Sequence, residues 1–198
     1  VNAAAIINCS VSTVAGAIRL AGGVEGKRVA LWGIGMLGII ACAQCREAGA
    51  REIIAVDINS ERLALAGRFG ATQTMKAGEF DPSLLKADCT IDFSGNLASM
   101  GATVDALRIG GTAVWVGGVC PQEPIRLDTE KIVRNLYTIK GLHNYNADDF
   151  RAAVSFMEKH HADYPISELI YDGFTLDQTE EAFRYAIDNN PFRVGIHF

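Results

Sequence analysis

The most regular part of the hydrophobic pattern is a strand, turn, helix and strand order near the beginning of the chain. The mainly apolar block Arg28–Trp32 leads into a glycine cluster at residues 33–38. Apolar positions at helical spacing continue without proline to Ala48, and a second apolar block at residues 53–56 ends at Asp57. Two short apolar blocks around an amphipathic stretch predict a strand, a helix and a second strand parallel to the first.

The same alternation continues to residue 141 and predicts the fold class. Asn59 or Ser60 is the expected N-cap of a helix over residues 61–69, which Gly70 ends. Further strands are predicted at residues 73–75, 90–93, 112–116 and 136–140, and further helices at residues 1–21, 97–108 and 130–135. Strands that alternate with helices favour an α/β fold with a doubly wound, six-stranded parallel sheet.

The pattern changes after Gly141. Residues 148–160 and 176–189 have the spacing of amphipathic helices, and residues 166–171 and 193–198 have the pattern of strands. Because this order does not continue the alternation, we expect an α+β tail that belongs to a second layer or domain. The chain begins with valine rather than methionine, and we interpret it as a fragment or a processed product.

The glycine cluster has the spacing of a dinucleotide-binding turn, G-x-G-x-x-G, between the first strand and its helix. Gly33 can adopt tight-turn dihedral angles, Gly35 allows a pyrophosphate to approach the backbone, and Gly38 allows the helix to pack on the strand. Met36 and Leu37 begin the helix, whose free N–H groups and partial positive charge suit phosphate. A glycine turn that serves only strand–helix packing is the alternative interpretation.

Asp57 is the residue expected to select the dinucleotide. It lies 19 residues after Gly38 and ends the second strand, where a carboxylate can accept hydrogen bonds from both hydroxyls of the adenosine ribose. A carboxylate there repels a 2′-phosphate, so the sequence favours NAD over NADP. An acid at this position also suits the ribose of S-adenosylmethionine, which leaves a methyltransferase as an alternative. The full glycine motif favours a dinucleotide.

Composition and charge argue against several function classes. The 198 residues carry a net charge of −5 without a basic block, which makes nucleic acid and anionic membranes poor partners. We expect no apolar run of the length of a membrane span. The five cysteines lack the spacing of a disulfide framework, which favours a reducing, cytoplasmic location. Cys42 and Cys45 form a C-x-x-C inside a predicted helix, and we interpret them as packing residues.

Four segments resemble the zinc-type medium-chain alcohol dehydrogenases, and the resemblance extends over essentially the whole chain. They are NCSVST at residues 8–13, the glycine motif with VDINSERL, the strand GTAVWVGG, and the closing FTLDQTEEAF with FRVGIHF. The stretch LDTEKIVRNLYTIKGLHNY further resembles dehydrogenases proposed to accompany phosphonate breakdown. The resemblance implies an NAD-binding Rossmann domain over residues 1–143, with a leading helix at residues 1–21. Residues 144–198 would be the tail of a split catalytic domain whose first part is absent.

The resemblance also implies a catalytic zinc. In that family, zinc polarises the alcohol oxygen and lowers the pKa of the alcohol, from which hydride passes to the nicotinamide. Cys9 aligns with the last of three protein ligands, and the other two would lie in the absent segment. We therefore expect zinc in the full-length enzyme and none in this chain alone. The alternative is that Cys9 is only a small buried residue.

Further cofactor contacts are implied by the resemblance. Thr13 would pack beneath the nicotinamide ring, and its alternative role is a helix hydroxyl bonded to its own backbone. Arg62 would lie near the adenosine ribose, or else be a solvated helix arginine. Ser94 would lie at the adenine edge, and the backbone groups of Val116 and Gly117 would hold the carboxamide.

Arg193 and His143 are the implied contacts from the later part of the chain. Arg193 would reach the pyrophosphate from the tail, with an exposed, salt-bridging arginine as the alternative. His143 follows the sixth strand, where a protonated imidazole could hold an anionic substrate group such as a phosphonate. A loop histidine with no role in the reaction is the alternative.

Together these features predict the NAD(H)-binding part of a zinc-dependent alcohol dehydrogenase, which binds cofactor without turnover when alone. A zinc-free NAD(P)H reductase and a non-catalytic nucleotide-binding module are alternatives. The substrate of the full-length enzyme would be a small-molecule alcohol or aldehyde. By resemblance, the sixth strand at residues 136–140 would pair with its twin, which hides an exposed edge and gives a homodimer or homotetramer.

Overall fold

The computed structural model describes residues 2–197, and a parallel sheet of six strands in the order β3-β2-β1-β4-β5-β6 forms its larger part. The strands are β1 Arg28–Trp32, β2 Glu52–Asp57, β3 Gln73–Lys76, β4 Ala87–Asp92, β5 Leu107–Trp115 and β6 Thr138–Gly141. Every neighbouring pair in this sheet is parallel. The predicted doubly wound Rossmann sheet is therefore confirmed.

Apolar residues cover both faces of the sheet. The α-helices of the described residues are α1 Ser12–Leu20, α2 Met36–Glu47, α3 Ser60–Arg68, α4 Leu97–Asp105, α5 Thr129–Arg134, α6 Ala147–His160 and α7 Thr179–Asn189. Val29 and Leu31 of β1 belong to one apolar cluster, and Ala30 and Trp32 belong to another. Burial on both faces explains why β1 is an apolar run rather than an alternating pattern.

Helix α2 is buried over most of its length, which accounts for its two cysteines. Cys42 and Cys45 are fully buried. Burial raises the pKa of the Cys42 thiol to about 12. A thiol that stays protonated is a poor zinc ligand and a poor nucleophile in disulfide exchange, so these residues have a packing role.

The boundary between α4 and β5 differs from the sequence prediction. The predicted helix over residues 97–108 ends at Asp105, and β5 begins at Leu107 rather than at residue 112. Gly110 has a positive φ of 75°, and the pairing of β5 with β4 shifts register in this part of the ladder. A bulge of this kind lets a strand run through glycines that would otherwise indicate a turn.

The leading segment is helical but is not a single α-helix. A 3₁₀ turn over Asn2–Ile6 and a π-helical turn over Ile7–Val11 precede α1. The helical stretch Ala3–Leu20 has 18 residues, and its length and composition are those of a candidate membrane span, so the expectation that no run reaches this length is wrong. Within the structure 44% of the stretch is buried, and Val14 and Ala17 lie in the apolar core. A core helix passes the same test of length and composition.

The tail forms a second sheet of two parallel strands, β7 Ile170–Thr175 and β8 Arg193–His197. The prediction of a strand over residues 166–171 is wrong at its beginning, because a 3₁₀ turn over Ile166–Leu169 comes first. Ile166 and Leu169, at the two ends of this turn, are both buried, since residues three apart lie on the same side of a 3₁₀ helix. Strand β8 begins where predicted, and Phe198, its predicted last residue, lies outside the described residues.

Helix α6 packs on the leading helix through a charged contact. Arg19 of α1 donates two hydrogen bonds to Asp149 of α6, at 2.7 and 2.9 Å. The Asp149 side chain is 3% exposed. The division of the chain into a nucleotide-binding domain at residues 1–143 and a catalytic-domain segment at residues 144–198 stays a prediction.

Candidate functional site

The carboxyl ends of the parallel strands lie at one edge of the large sheet, and most predicted site residues follow them. The strand order reverses between β1 and β4, so a crevice opens beyond the ends of these two strands. The glycine cluster follows β1, Asp57 ends β2, Ser94 follows β4 and Val116 follows β5. The topology therefore brings residues that are distant in sequence to the same edge.

The glycine turn is shaped by two backbone contacts. Gly33 has a φ of 84°, and a Cβ atom there would lie 2.7 Å from the backbone nitrogen of Ser94. A Cβ atom on Gly38 would lie 2.1 Å from the carbonyl oxygen of Gly33. Helix α2 can approach β1 this closely only because residue 38 has no side chain.

Gly35 differs from the other two glycines, because space remains beside it. The nearest atom to a Cβ on Gly35 would be Arg62 Nη1, at 3.7 Å. Gly35 precedes α2, and no side chain of the described residues caps the first amide groups of that helix, which begins with Met36 and Leu37. An anion can therefore approach an uncapped helix N-terminus over the backbone of Gly35.

Asp57 holds the glycine turn from the end of β2. Its Oδ2 accepts a hydrogen bond from Ile34 N at 2.6 Å, and its Oδ1 accepts one from Asn59 N at 2.8 Å. The residue is 8% exposed. Each carboxylate oxygen has a second lone pair that is available to a ligand hydroxyl. The motif indicates ligand recognition by Asp57 but not its bond to the turn, because that bond depends on the path of the turn in space.

Apolar surface near Asp57 is a feature that the sequence prediction missed. Ile58 is 77% exposed. A cavity of about 220 Å³ is lined by residues that include Trp32, Phe80 and Ala77, and Ala77 N donates to the carbonyl of Asp57. Apolar walls of this kind suit a flat aromatic ring. The sequence signal for Ile58 is an apolar residue between the strand-ending acid and the helix cap.

Two arginines connect the tail with α3 and with the leading helical segment. Arg62 Nη2 donates to the carbonyl of Asn190 at 3.2 Å, and the guanidinium lies 5.3 Å from the centroid of the Phe192 ring. Arg62 therefore contacts the tail from α3, through a bond that is exposed to solvent. Arg193 is exposed and its Nη2 donates to Ser10 Oγ at 3.1 Å, so its partner is a hydroxyl rather than a carboxylate.

The loops after β4 and β5 touch through their backbones. A Cβ atom on Gly95 would lie 2.2 Å from Gly117 O, and one on Gly117 would lie 2.1 Å from Gly95 N. Ser94 Oγ donates to Asp92 Oδ1 at 2.6 Å. The sequence prediction missed Asp92 and Gly95, although both lie in the strand end T-I-D-F-S-G-N.

His143 and Val116 line one cavity beyond β5 and β6. The cavity has a volume of about 480 Å³, and its walls include Met100, Trp115 and Leu142. His143 itself is exposed. The structure thus brings this histidine to the carboxyl edge of the sheet, among mainly apolar side chains.

Cys9 and Thr13 lie on the leading helical segment. Cys9 is exposed, so its interpretation as a small buried residue is wrong. Thr13 is 7% exposed, and the hydroxyl that bonds to the helix backbone is that of Ser12, whose Oγ donates to Ile7 O at 2.6 Å. Among residues 2–197, no three histidine, cysteine or acidic residues are grouped as a metal site. The described residues therefore do not form a complete zinc centre.

A family model described as zinc-binding dehydrogenase matches residues 36–159. The chain belongs to the zinc-binding dehydrogenase family. Among the relatives of the chain, a geraniol dehydrogenase from Carpoglyphus lactis is 27% identical over 98% of the chain and 54% of its own length. The chain thus spans about half the length of the curated relatives it matches.

Solved structures give the same fold. An alcohol dehydrogenase from Thermotoga maritima matches with a TM-score of 0.91 at 23% identity, over 99% of this chain and 57% of that one. A zinc-binding dehydrogenase from Sinorhizobium meliloti bound to NADP matches with a TM-score of 0.81 at 22% identity, over 91% of this chain and 54% of that one. The resemblance to zinc-type medium-chain alcohol dehydrogenases is confirmed. The resemblance to the phosphonate-associated subfamily stays a prediction.

Proposed function

We propose that the chain is the NAD(H)-binding part of a zinc-dependent alcohol dehydrogenase. The observation that carries the proposal is the open space beside Gly35 at the uncapped start of α2. A pyrophosphate in that space can accept hydrogen bonds from backbone amides, and the Arg62 guanidinium beside Gly35 adds positive charge. Asp57 ends the neighbouring strand, at the position that suits a ribose.

The adenosine half of the cofactor is assigned to the β2 and β4 ends. The free lone pairs of Asp57 would accept the ribose hydroxyls, and the exposed Ile58 would contact a face of the adenine ring. Ser94 would lie at the adenine edge. A carboxylate so close to the ribose favours NAD over NADP, since a 2′-phosphate would meet a like charge.

The nicotinamide half is assigned to the β5 end and the leading helix. The backbone groups of Val116 and Gly117 would hold the carboxamide, and Thr13 would pack beneath the ring. Arg193, which is held at the leading helical segment by its bond to Ser10, would reach the pyrophosphate from the tail. These contacts would orient the nicotinamide and exclude water from one of its faces.

The whole protein is proposed to interconvert a small-molecule alcohol and its aldehyde. Zinc, held by Cys9 and by ligands outside this chain, would supply polarisation of the alcohol oxygen, and NAD would supply the hydride acceptor. Because one thiolate does not hold a catalytic zinc, the chain alone is proposed to bind cofactor without turnover. His143, at the 480 Å³ cavity, is proposed to hold an anionic group of the substrate when protonated.

Titration of the chain with four ligands tests the proposal. Trp32 and Trp115 end β1 and β5, so their fluorescence reports a ligand at this edge, and bound NADH would quench it. The ligands are NADH, NADPH, NAD⁺ and S-adenosylmethionine. We expect NADH to bind about tenfold or more tightly than NADPH. Tightest binding by NADPH would favour a zinc-free reductase, and tightest binding by S-adenosylmethionine would favour a methyltransferase. Either result contradicts the proposal.

Asp57→Asn is expected to weaken NADH binding about tenfold and to narrow the preference for NADH over NADPH. The neutral amide no longer repels a 2′-phosphate. In the original chain Ile34 N and Asn59 N both donate to the Asp57 carboxylate, whereas in the variant one of these N–H groups would face the NH₂ group of the amide, which cannot accept. Fluorescence titration measures both affinities. Glu61→Gln is the matched control, because it removes an exposed charge at the start of the next helix. Equal losses of NADH affinity in the two variants would mean that binding depends only on the net charge of the chain.

Self-association through the sheet edge is proposed as well. Strand β6 is an edge strand, and Val133 and Leu136 beside it are 74% and 71% exposed. An unpaired edge next to apolar side chains favours pairing with a second copy. We expect a dimer or tetramer in light scattering, and a monomer at high concentration would argue against this assembly.

A further inference from the structure

Asp92 is a buried acid at the end of β4 that the proposed cofactor contacts leave without a role. The residue has no exposed surface. Its Oδ1 accepts a hydrogen bond from Ser94 Oγ at 2.6 Å, and its Oδ2 accepts one from Gly95 N at 2.8 Å. Its main-chain carbonyl accepts from Val116 N at 2.9 Å and from Gly117 N at 3.1 Å. The side chain of Asp92 therefore holds the loop after β4, and its main-chain carbonyl holds the start of the loop after β5.

The residues that Asp92 holds are also those that touch the neighbouring loops. Ser94 lies against the glycine turn, since a Cβ atom on Gly33 would come within 2.7 Å of Ser94 N and 2.9 Å of Ser94 Cα. Gly95 lies against the β5 loop, since a Cβ atom added to Gly95 would come within 2.2 Å of Gly117 O. Because an added Cβ atom would overlap these backbone atoms, the loops are closely packed, and a displacement of the β4 loop is expected to displace both neighbours.

The buried carboxylate carries an energetic cost. Removal from water raises the pKa of Asp92, and the hydrogen bonds from Ser94 and Gly95 oppose that rise. An apolar residue of similar size would avoid the cost of burying an acid. The presence of an acid here is therefore better explained by the two donors it fixes than by packing.

We infer that Asp92 is a positioning residue that fixes the loops after β1, β4 and β5 relative to one another and so sets the shape of the dinucleotide crevice. This role rests on the proposed function and deepens it. Asp92 itself does not touch the cofactor and acts through Ser94 and Gly95. A shift of these two residues moves the glycine turn on one side and the backbone of Gly117 on the other, and so affects both halves of a bound dinucleotide.

The test compares NADH affinity with stability in variants of the whole chain. Asp92→Ala removes both side-chain bonds and is expected to raise the Kd for NADH about tenfold, measured by tryptophan fluorescence at a temperature where circular dichroism shows a folded protein. Asp92→Asn keeps an acceptor for Gly95 N and can donate to Ser94 Oγ, so its Kd should stay within about threefold of the original value. Asp88→Ala is the matched control at the other end of β4, where Asp88 accepts from Arg28 N at 2.7 Å. It should lower the midpoint of thermal unfolding and leave the Kd unchanged.

Ser94→Ala connects the effect to the loop. The double variant of Asp92→Ala and Ser94→Ala should lose less NADH affinity than the sum of the two single losses, because both changes remove the same bond between Ser94 Oγ and Asp92. An Asp92→Ala chain that is less stable but keeps the original Kd overturns the positioning role. Losses of NADH affinity that are fully additive in the double variant overturn it as well. If Asp92→Ala does not fold, an unchanged Kd in Ser94→Ala overturns it. A wild-type chain that does not bind NADH is a different result, which refutes the proposed function itself.

Discussion

Gly38→Ala is expected to lower the free energy of unfolding by about 3 kcal/mol and to abolish measurable NADH binding. The added Cβ atom would lie 2.1 Å from the carbonyl oxygen of Gly33 and 2.9 Å from its carbonyl carbon. Both are backbone atoms, so no side-chain rotation relieves the contact, and α2 must move away from β1. That movement displaces the helix N-terminus on which the proposed phosphate contact depends. Urea denaturation measures the first effect, and fluorescence titration measures the second.

Gly67→Ala is the matched control for this substitution. Gly67 lies within α3, and beyond its chain neighbours and the nearby backbone of that helix no atom is found within 4 Å of a Cβ placed there. Because alanine favours a helix more than glycine does, the control should raise the free energy of unfolding by about 0.5–1 kcal/mol and leave NADH affinity unchanged. If Gly38→Ala were as stable as this control, close packing would no longer explain the third glycine of the motif.

The elements that the sequence predicts well are those decided by neighbouring residues. Strand β1 is found at its predicted bounds, Arg28–Trp32, because an apolar run before a glycine turn is a local signal. Asn59 caps α3 as expected, and its side chain accepts from Glu61 N and Arg62 N. Such features need no knowledge of which distant segments pack together.

Elements that depend on distant segments were less predictable. Strand β5 begins early because Leu107 pairs with Ala87 of β4, a partner that the residues around it do not indicate. The turn Ile166–Leu169 replaces the first part of a predicted strand because two of its residues are buried by packing. In both cases tertiary contacts override a local pattern.

The contacts of the candidate site also divide into those within one motif and those between distant segments. The contact between Gly33 and Gly38 lies within one motif, so the spacing alone indicates it. The contact between Gly33 and Ser94, and the one between Gly95 and Gly117, join loops that are far apart in sequence. Nothing in a single sequence identifies such pairs. The anchoring roles of acids at strand ends are therefore visible only in the structure.

Asp149→Ala is expected to lower the free energy of unfolding by about 2–4 kcal/mol at neutral pH, measured by urea denaturation. The carboxylate is 3% exposed and accepts bonds from Arg19 at 2.7 and 2.9 Å. It also accepts from Asn146 N at 3.0 Å, which completes the capping box of α6. One side chain thus docks α6 on the leading helix and satisfies the start of α6. Its removal leaves these donors without their acceptor.

The adjacent acid provides the matched control for this prediction. Asp148 has a side chain that is 81% exposed and pairs with Arg151 three residues later on the same helix. Exposed pairs of this kind contribute little, so Asp148→Ala should change the free energy of unfolding by less than about 0.5 kcal/mol. Similar losses in the two variants would point to helix propensity or net charge rather than to the contact with Arg19.

The pH dependence of the same two variants separates an ionic role of Asp149 from a packing role. The hydrogen bonds from Arg19 lower the pKa of Asp149; burial opposes this change, and the bond from Asn146 N adds to it. A carboxyl group whose pKa is lower in the folded chain stabilises it fully above the unfolded pKa of about 3.9, and this stabilisation is lost as the pH falls through the folded pKa. The stability difference between wild type and Asp149→Ala should therefore hold from neutral pH to about pH 5 and narrow below about pH 4. A difference that persists unchanged at about pH 3 would mean that the side chain acts by packing, because an ionic contribution must fall once the carboxyl group takes up a proton in the unfolded chain.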